Sequence, residues 1–252
     1  MSDEIWTTGI VLSSAPAGDY DRRVVLLTRE RGKITAFARG ARRPSSKLLS
    51  SVTPFTFGQF GLYPGRSAFT LARSQITYYF ADLKEDFDAS LYGFYFLDLA
   101  AYYGRENLDA AGMLNLLYVT LRALEKKQVP FDLVRRVYEI RLMVENGEYP
   151  PDSAADAAWQ QSTRYAVEYA MSAPLPRLYS FTVSREVQRE LDRLQEKILS
   201  RILDRRPRSL DILESMTAAG RGKAAADIPA AEIPAADRGE AADIPGAGSG
   251  GR

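Results

Sequence analysis

The chain has 252 residues, carries 33 basic and 32 acidic side chains, and contains neither cysteine nor histidine. These absences exclude disulfides, a thiol nucleophile, a Cys/His zinc site and an imidazole general base. Phosphate-binding loops and paired-Asp metal motifs are also missing, so we expect a protein that is not an enzyme. The N-terminal residues 1–4 lack the apolar core of a secretory signal, and no apolar run is long enough to span a membrane, which favours a cytoplasmic location.

The first 80 residues have the composition of short β-strands separated by turns. Runs rich in β-branched and aromatic residues predict five strands, at 5–12, 23–28, 33–38, 55–63 and 68–76. The connection between the third and fourth strands, 41–53, has room for one short helix that begins at Ser45 or Ser46. Five strands with a helix at this point match the layout of an OB-fold barrel.

From residue 82 onward, apolar residues recur at spacings of three and four, which is typical of amphipathic helices. The pattern predicts helices at 91–103, 110–127, 131–145, 154–172 and 187–203. The last of these is expected to be capped by Thr182 or Ser184. In the third helix, the side chains of Arg135, Arg136 and Glu139 lie largely off the apolar stripe.

Beyond residue 216 the composition changes to Ala, Gly, Pro and charged residues without any aromatic residue. A short unit recurs there as Asp227-Ile228-Pro229, Glu232-Ile233-Pro234 and Asp243-Ile244-Pro245. Such a segment buries too little apolar surface to offset the entropy lost on ordering, so we expect disorder, with a peptide docking motif as the alternative. The predicted fold class is therefore α+β: an OB-fold β-barrel over 1–80, an all-α domain over 81–216 and a disordered tail over 217–252.

Positive charge is concentrated in the predicted barrel. Residues 1–80 carry 11 basic and 5 acidic side chains, whereas residues 81–150 carry 8 and 12. The stretch 31–80 contains no Asp or Glu but has eight basic residues: Arg31, Lys33, Arg39, Arg42, Arg43, Lys47, Arg66 and Arg73. A solvated surface normally mixes both signs, so this stretch predicts a polyanion partner, of which nucleic acid is the commonest.

The segment that leaves the third strand is the strongest candidate for a DNA contact. Gly40 and Pro44 force an irregular path, which should place the neighbouring arginines at a barrel edge. Guanidinium groups bind phosphate in a bidentate manner, and Ser45, Ser46 and the first amides of the short helix would add neutral donors. The predicted DNA-binding residues are Lys33, Arg39, Arg42, Arg43 and Lys47. Arg66 and Arg73 are weaker candidates, and most aromatic residues of this region are expected to lie in the core.

Several segments, taken together, resemble one known family. They are 8–12 with 19–22, 28–34, 135–142 with Gly147 and Tyr149-Pro150, 178–184, 208–213 and, most specifically, Ala38-Arg39-Gly40-Ala41-Arg42-Arg43-Pro44-Ser45-Ser46. These residues resemble the bacterial recombination mediator family RecO over about residues 5–215. Many members hold zinc with four cysteines after the Gly-Tyr-Pro point. Here that place is 151–173, which has no cysteine, so we expect the predicted helix 154–172 in its place, no zinc and no other cofactor.

The resemblance implies a non-enzymatic DNA repair protein of the nucleoid. Members of the family bind single- and double-stranded DNA, anneal complementary strands and, with RecR, help to load RecA onto DNA coated by single-stranded DNA-binding protein (SSB). They also engage the acidic C-terminal tail of SSB, for which Arg135 and Arg136 are the candidate residues here. The alternative for these two arginines is a surface ion-pair network with Glu139 and Asp132.

Two other functions remain open at this point. The first is an adaptor whose barrel binds protein rather than DNA. The second is a metal-dependent nuclease built on the acidic cluster Asp82, Glu85, Asp86 and Asp88. This cluster fits better as acidic residues at the beginning of a helix, and its spacing is not that of a paired-metal site.

Overall fold

The N-terminal part of the molecule is a closed five-stranded barrel. The computed structural model describes residues 3–150, 153 and 159–221. Its strands are β1 (Ile5–Ala17), β2 (Asp21–Thr28), β3 (Gly32–Ala38), β4 (Phe57–Tyr63) and β5 (Phe69–Tyr78). They close in the order β1-β2-β3-β5-β4, with β3 and β5 parallel and the other pairs antiparallel. This is the OB-fold order, so the predicted fold is confirmed.

Side chains alternate between the inside and the outside of the barrel along its strands. Every second residue of β2 and β3 points inward, and β4 and β5 complete a small apolar core. This barrel core comprises Val11, Val24, Leu26, Ile34, Ala36, Ala38, Ala41, Val52, Phe60, Leu62 and Leu71. The outward residues of the same strands are therefore free to form a surface.

The connection between β3 and β4 is a series of turns, so the expected short helix is wrong. Its backbone makes hydrogen bonds three residues apart, such as Arg43 N–H to Gly40 O and Ser46 N–H to Arg43 O. The hydroxyl of Ser46 accepts from the amide of Leu48, as an N-cap would, but the backbone bonds that follow span three residues and no α-helix forms before Pro54. A helix N-terminus is consequently not available here for a phosphate.

The rest of the described chain is helical. The helices are α1 (Ala81–Glu85), α2 (Phe87–Tyr103), α3 (Ala111–Lys126), α4 (Phe131–Glu145), α5 (Gln161–Ser172), α6 (Arg185–Ile202) and α7 (Arg208–Arg221), with a short 3₁₀ helix at Leu175–Arg177. The hydroxyl of Ser184 accepts from the amide of Val187 and caps α6, as one of the two predicted caps. No helix within the described ranges is long and apolar enough to cross a bilayer.

Several predicted boundaries differ from the observed ones; β1, for example, was predicted to end at residue 12 but continues to Ala17. The helix predicted at 154–172 is observed as α5, which begins at Gln161, and residues 159–160 before it are not helical. Residues 154–158 lie outside the described residues. Helix α7 continues to Arg221, five residues into the predicted tail, since Leu210 and Leu213 anchor it in the helical core. The remainder of the predicted tail, 222–252, lies outside the described residues.

The barrel and the helices share one continuous apolar joint. Leu27, Phe55 and Phe57 of the barrel belong to the same core as α2 and α3, and the rings of Phe57 and Tyr118 lie 4.7 Å apart. The backbone at the beginning of β3 also lies very close to the segment after α2: a Cβ at Gly32 (φ 62°) would lie 2.0 Å from the carbonyl oxygen of Arg105. The helices thus pack against the barrel, with α2 on β1 and α3 on β2.

Candidate nucleic-acid interface

The loop after β3 is tied to the turn between β1 and β2. The amide of Arg42 donates to Tyr20 O at 2.8 Å, and its guanidinium donates to the carbonyls of Gly18 and Asp19, each at 3.1 Å. The amide of Gly40 donates to the Asp21 carboxylate at 2.7 Å. The positive φ of Gly40 (63°) makes this approach possible. Arg42 therefore orders the turn, and the two segments form one rigid edge.

This edge carries four exposed cations and one exposed aromatic ring. We call this set the loop patch: Tyr20, Arg39, Arg42, Arg43 and Lys47. None of the four cations has an ion-pair partner among residues 3–150, 153 and 159–221. Folding brings the acids Asp19 and Asp21 close by, and the Asp21 carboxylate is engaged by Gly40. The structure thus brings together four of the five predicted DNA-binding residues.

Tyr20 is a member of the loop patch that the sequence interpretation missed. Its ring is 53% exposed, and the guanidinium of Arg43 lies over it, 5.0 Å from the ring centroid. The available signal was an aromatic residue inside the turn 19–22, a segment that had already contributed to the family resemblance. An exposed ring beside cations suits a nucleic-acid base, because stacking accepts any base.

A second surface element crosses the outer face of the barrel. Arg23 lies opposite Phe37, Phe37 pairs with Thr70, and Thr70 pairs with Tyr63, so four strands contribute one row of outward side chains. Phe37 is 37% exposed and Tyr63 38% exposed. Phe55, Phe57 and Phe60 are buried, as expected for most aromatics of this region. We call Arg23, Phe37, Thr70 and Tyr63 the strand row.

Lys33 lies apart from the loop patch. It points outward from β3 like Phe37, but four residues earlier, which is about 13 Å along a strand. Its ammonium donates to the carbonyl of Ala101 at 2.6 Å. Partial burial, followed by the positive charge of Arg105, lowers the pKa of Lys33. This fifth predicted residue therefore belongs to the junction with the helices.

A groove opens at this junction, with a volume of 640 Å³. Its floor is the outer face of β2 and β3, and its walls are the end of α2 and the segment between α6 and α7. The charged residues that line it are Arg23, Lys33, Asp98, Glu106, Arg205, Arg206 and Arg208. Arg23 belongs both to the strand row and to this junction groove, so cations extend from the barrel surface into the groove.

The two weaker candidates differ in their surroundings. Arg66 is exposed in the connection between β4 and β5. Arg73 pairs with Glu4 and lies 5.9 Å from the centroid of the Trp6 ring. The ion pair neutralises the charge of Arg73, which makes it the poorer candidate for a phosphate contact.

Arg135 and Arg136 are not available to a partner as the sequence interpretation required. They are 6% and 3% exposed, and both bind the buried carboxylate of Glu139, at 2.8 and 3.0 Å. Arg136 also pairs with Asp192 at 2.8 Å. The ion-pair alternative holds for Glu139, but the network is buried rather than on the surface, and it includes three acids of α6 and α7: Asp192, Glu196 and Glu214.

The charge state of Glu139 follows from these contacts. Burial alone would raise the pKa of this carboxyl, but the charges of Arg136 and Arg135 and the hydrogen bond from Tyr95 outweigh it and lower the pKa. Glu139 is therefore an ionised structural group that joins α4 to α6 and α7. The correction for Arg135 and Arg136 is thus one of role: they stabilise the helical core.

The acidic cluster near residue 82 caps helices. Asp86 accepts from the amide of Ala89 at the beginning of α2 and pairs with Lys127 at 2.5 Å. Asp82 and Asp88 lie in the first turns of α1 and α2, where negative charge is favourable. Within the part of the chain that the structure describes, no group of three or more potential metal ligands comes together.

The geometry defines a class of protein: an OB-fold barrel with a basic, partly aromatic outer surface, joined to a helical unit. Family comparison agrees with this architecture. The family description "Recombination protein O N terminal" matches residues 1–80, and "Recombination protein O C terminal" matches residues 84–154. The chain belongs to the RecO family.

Relatives in this family carry the name DNA repair protein RecO. The protein from Alkaliphilus metalliredigens is 33% identical over 159 residues, which is 63% of this chain and 65% of the relative. The one from Acetivibrio thermocellus is 32% identical over 145 residues, or 57% of each chain. The one from Clostridium kluyveri is 22% identical over 246 residues, 86% of this chain and 96% of the relative. The chain thus matches less than two thirds of the length of the first two relatives.

Proposed function

We propose that this chain is a non-catalytic DNA repair mediator that binds single- and double-stranded DNA along the barrel surface and anneals complementary strands. The observation that carries the proposal is the loop patch, in which four exposed cations without ion-pair partners in the described chain lie on the same edge as an exposed tyrosine, with Arg43 over its ring. The strand row continues this surface with Phe37 and Tyr63. Family membership supplies the repair role.

The physical basis of annealing is charge screening without sequence readout. Two complementary strands repel each other through their phosphates, and cations that displace counterions lower this repulsion. The strand row and Tyr20 offer stacking surfaces that accept any base. A bound strand would therefore keep its hydrogen-bonding edges available to a complementary strand, since the protein contacts the backbone and the faces of the bases.

The proposal includes the partners that membership in the family implies. The chain would act with RecR, engage the C-terminal tail of SSB, and help RecA to load onto SSB-coated DNA. The surface that takes the SSB tail lies elsewhere than Arg135 and Arg136, because both guanidinium groups are buried and paired. The adaptor alternative differs in one respect, since it needs no contact between the barrel and DNA.

A strand-annealing assay tests the proposal. Complementary labelled oligonucleotides are mixed with the purified chain, first bare and then coated with SSB. We expect faster annealing in both cases and a steep loss of rate as salt rises. An annealing rate equal to that of the strands alone, together with partner binding that does not respond to salt, would establish the adaptor alternative instead.

A further inference from the structure

The repeated unit in the C-terminal tail has no role in the function proposed above. The full unit has five residues: Ala-Ala, an acidic residue, Ile and Pro recur at 225–229, 230–234 and 241–245. Each copy offers one carboxylate next to one large aliphatic side chain and a proline. A site that accepts such a unit needs a cation beside an apolar cavity.

The junction between α6 and α7 has both features. A cavity of 220 Å³ there, which we call the leucine cavity, is lined by Leu199, Leu203 and Leu210 together with Ser200 and six charged residues. Arg205 and Arg206 line this leucine cavity and also line the junction groove. Two cations are therefore shared by a cavity that contains three leucine side chains and by the larger junction groove.

Two cations at the junction between α6 and α7 are available to form an ion pair with a carboxylate. Arg205 and Arg208 are exposed and have no ion pair within the described ranges. Arg206 is engaged by Asp211 and Glu214. The acids facing the site are Asp98, Glu106, Glu196, Asp204 and Glu214.

Two of these acids are already paired, so that within the described chain four cations without ion pairs, Arg23, Lys33, Arg205 and Arg208, face three acids, Asp98, Glu106 and Asp204. Glu196 is held by Arg136 at 3.2 Å, and Glu214 by Arg135 and Arg206. The positive charge of Arg205 helps to lower the pKa of Lys33 in the same groove, after burial and Arg105. Lys33 is thus influenced by the positive charges of Arg105 and Arg205 and, more strongly than by Arg205, by the negative charge of Glu106.

The tail is long enough to bring the first repeat to this site. Helix α7 begins at Arg208, beside the groove, and its 14 residues extend about 21 Å to Arg221. Five residues, 222–226, then precede Asp227, and an extended chain covers about 20 Å over this distance. A covalent tether of this length gives a high effective concentration, so a weak motif suffices, and three copies raise the occupancy further.

We propose that the acidic Ile-Pro repeats of the tail dock at the α6–α7 junction of their own chain. The Ile side chain enters the leucine cavity and the neighbouring carboxylate pairs with Arg205 and Arg208. An occupied junction withholds these cations from DNA, so the tail competes with DNA for the end of the basic surface. The competition rests on the function proposed above, whereas the docking itself does not.

Disulfide trapping in the full chain tests the docking directly, because the chain has no native cysteine. The pair Ala226→Cys and Ser200→Cys places one thiol beside the first repeat and one at the rim of the leucine cavity. We expect rapid intramolecular cross-linking, detected by mass spectrometry. The rate should fall at least several-fold when Ile228→Ser is added, or when Arg205→Glu and Arg208→Glu are added.

The pair Ser249→Cys and Ser200→Cys is the matched control, since Ser249 lies in the tail outside the repeats. Equal rates for the repeat pair, its Ile228→Ser form and the control pair would overturn the docking. Cross-links that form between two chains at a rate that depends on concentration would also overturn it, because the occupant would then be a second copy.

A DNA-binding measurement tests the competition separately. The variant Asp227→Asn with Glu232→Gln should bind a labelled oligothymidine several-fold more tightly at low salt. The control variant Asp237→Asn with Glu240→Gln removes charge outside the repeats and should change affinity less. Affinity that does not change in the repeat variant overturns the competition. If no form of the chain binds DNA, the function proposed above fails, while the trapping result still decides the docking.

Discussion

The guanidinium of Arg43 lies over the ring of Tyr20, 5.0 Å from its centroid, and joins two loops that are distant in sequence. An exposed contact of this kind contributes about 0.5–1 kcal/mol. The contact holds a cation and an exposed ring side by side at the edge of the barrel. A nucleotide could use both, its phosphate at Arg43 and its base on Tyr20.

Replacing Tyr20 by Ala should weaken binding of single-stranded DNA. Loss of one base stack costs about 1–3 kcal/mol, which corresponds to about a 5- to 150-fold weaker affinity. Double-stranded DNA should be affected less, because its bases are not free to stack on the protein. Fluorescence anisotropy with labelled single- and double-stranded oligonucleotides measures both effects.

The control for this change is Tyr79→Ala, since Tyr79 is 43% exposed but follows β5, away from the loop patch. It should leave both affinities unchanged, and Tyr20→Phe should retain binding because the ring remains. Equal losses for single and double strands in Tyr20→Ala would contradict a stacking role.

Replacing Glu139 by Ala should destabilise the fold strongly. The change leaves two buried guanidinium groups without their shared carboxylate, and breaking a buried ion pair costs about 3–5 kcal/mol. On the same helix, Glu145 pairs with Arg141 near the surface, so Glu145→Ala should cost about 0.5 kcal/mol or less. Urea unfolding of both variants gives the comparison, and similar losses would show that the buried network contributes little.

The same carboxylate should make stability depend on acid. The folded pKa of Glu139 lies below its ordinary value of 4.5, so ionised Glu139 stabilises the fold above the ordinary pKa. This contribution is lost as the pH falls through the lowered pKa. The difference in unfolding free energy between the unmodified chain and Glu139→Gln should therefore shrink with acid. A difference that stays constant from neutral pH down to acid unfolding would argue against an ionised Glu139.

Replacing Gly32 by Ala should weaken the joint between barrel and helices. Both Gly32 and Gly18 have positive φ, which costs about 1–2 kcal/mol for alanine. A Cβ at Gly32 also collides with the carbonyl of Arg105, whereas nothing lies within 4 Å of a Cβ at Gly18. Thermal unfolding should show a larger loss for Gly32→Ala than for Gly18→Ala. An equal loss of stability in the two variants would mean that the backbone at the junction shifts to accommodate the added Cβ at little cost.

The barrel could be predicted from sequence because its signals are local. Alternating side chains define each strand, and five strands with a longer connection after the third match the OB-fold layout. The connection between β3 and β4 was mispredicted because Ser46 makes a cap-type hydrogen bond with the amide of Leu48, but no α-helix follows it. Backbone hydrogen bonds between residues three apart form turns in this connection instead.

The roles of Arg135 and Arg136 could not be predicted in the same way. Helical periodicity places both off the apolar stripe, which favours exposure. Their partners Asp192, Glu196 and Glu214 lie more than fifty residues downstream, and no local pattern connects them. Lys33 illustrates the same limit, because strand alternation places it outward while the packing of α2 covers it.

The most direct test of the DNA-binding surface is a salt titration of single-strand affinity in two charge-reversal variants. The first is Arg39→Glu with Arg43→Glu and Lys47→Glu, which leaves the structural Arg42 in place. The control is Arg189→Glu with Arg193→Glu and Lys197→Glu, three exposed cations of α6 with the same change in net charge.

The first variant should bind more weakly, and its plot of log affinity against log salt should be shallower by about 2, because each lost phosphate contact removes about 0.7 from the slope. The control variant should keep the slope of the unmodified chain. If the loop-patch variant retains both the affinity and the slope of the unmodified chain, DNA does not bind at this edge of the barrel.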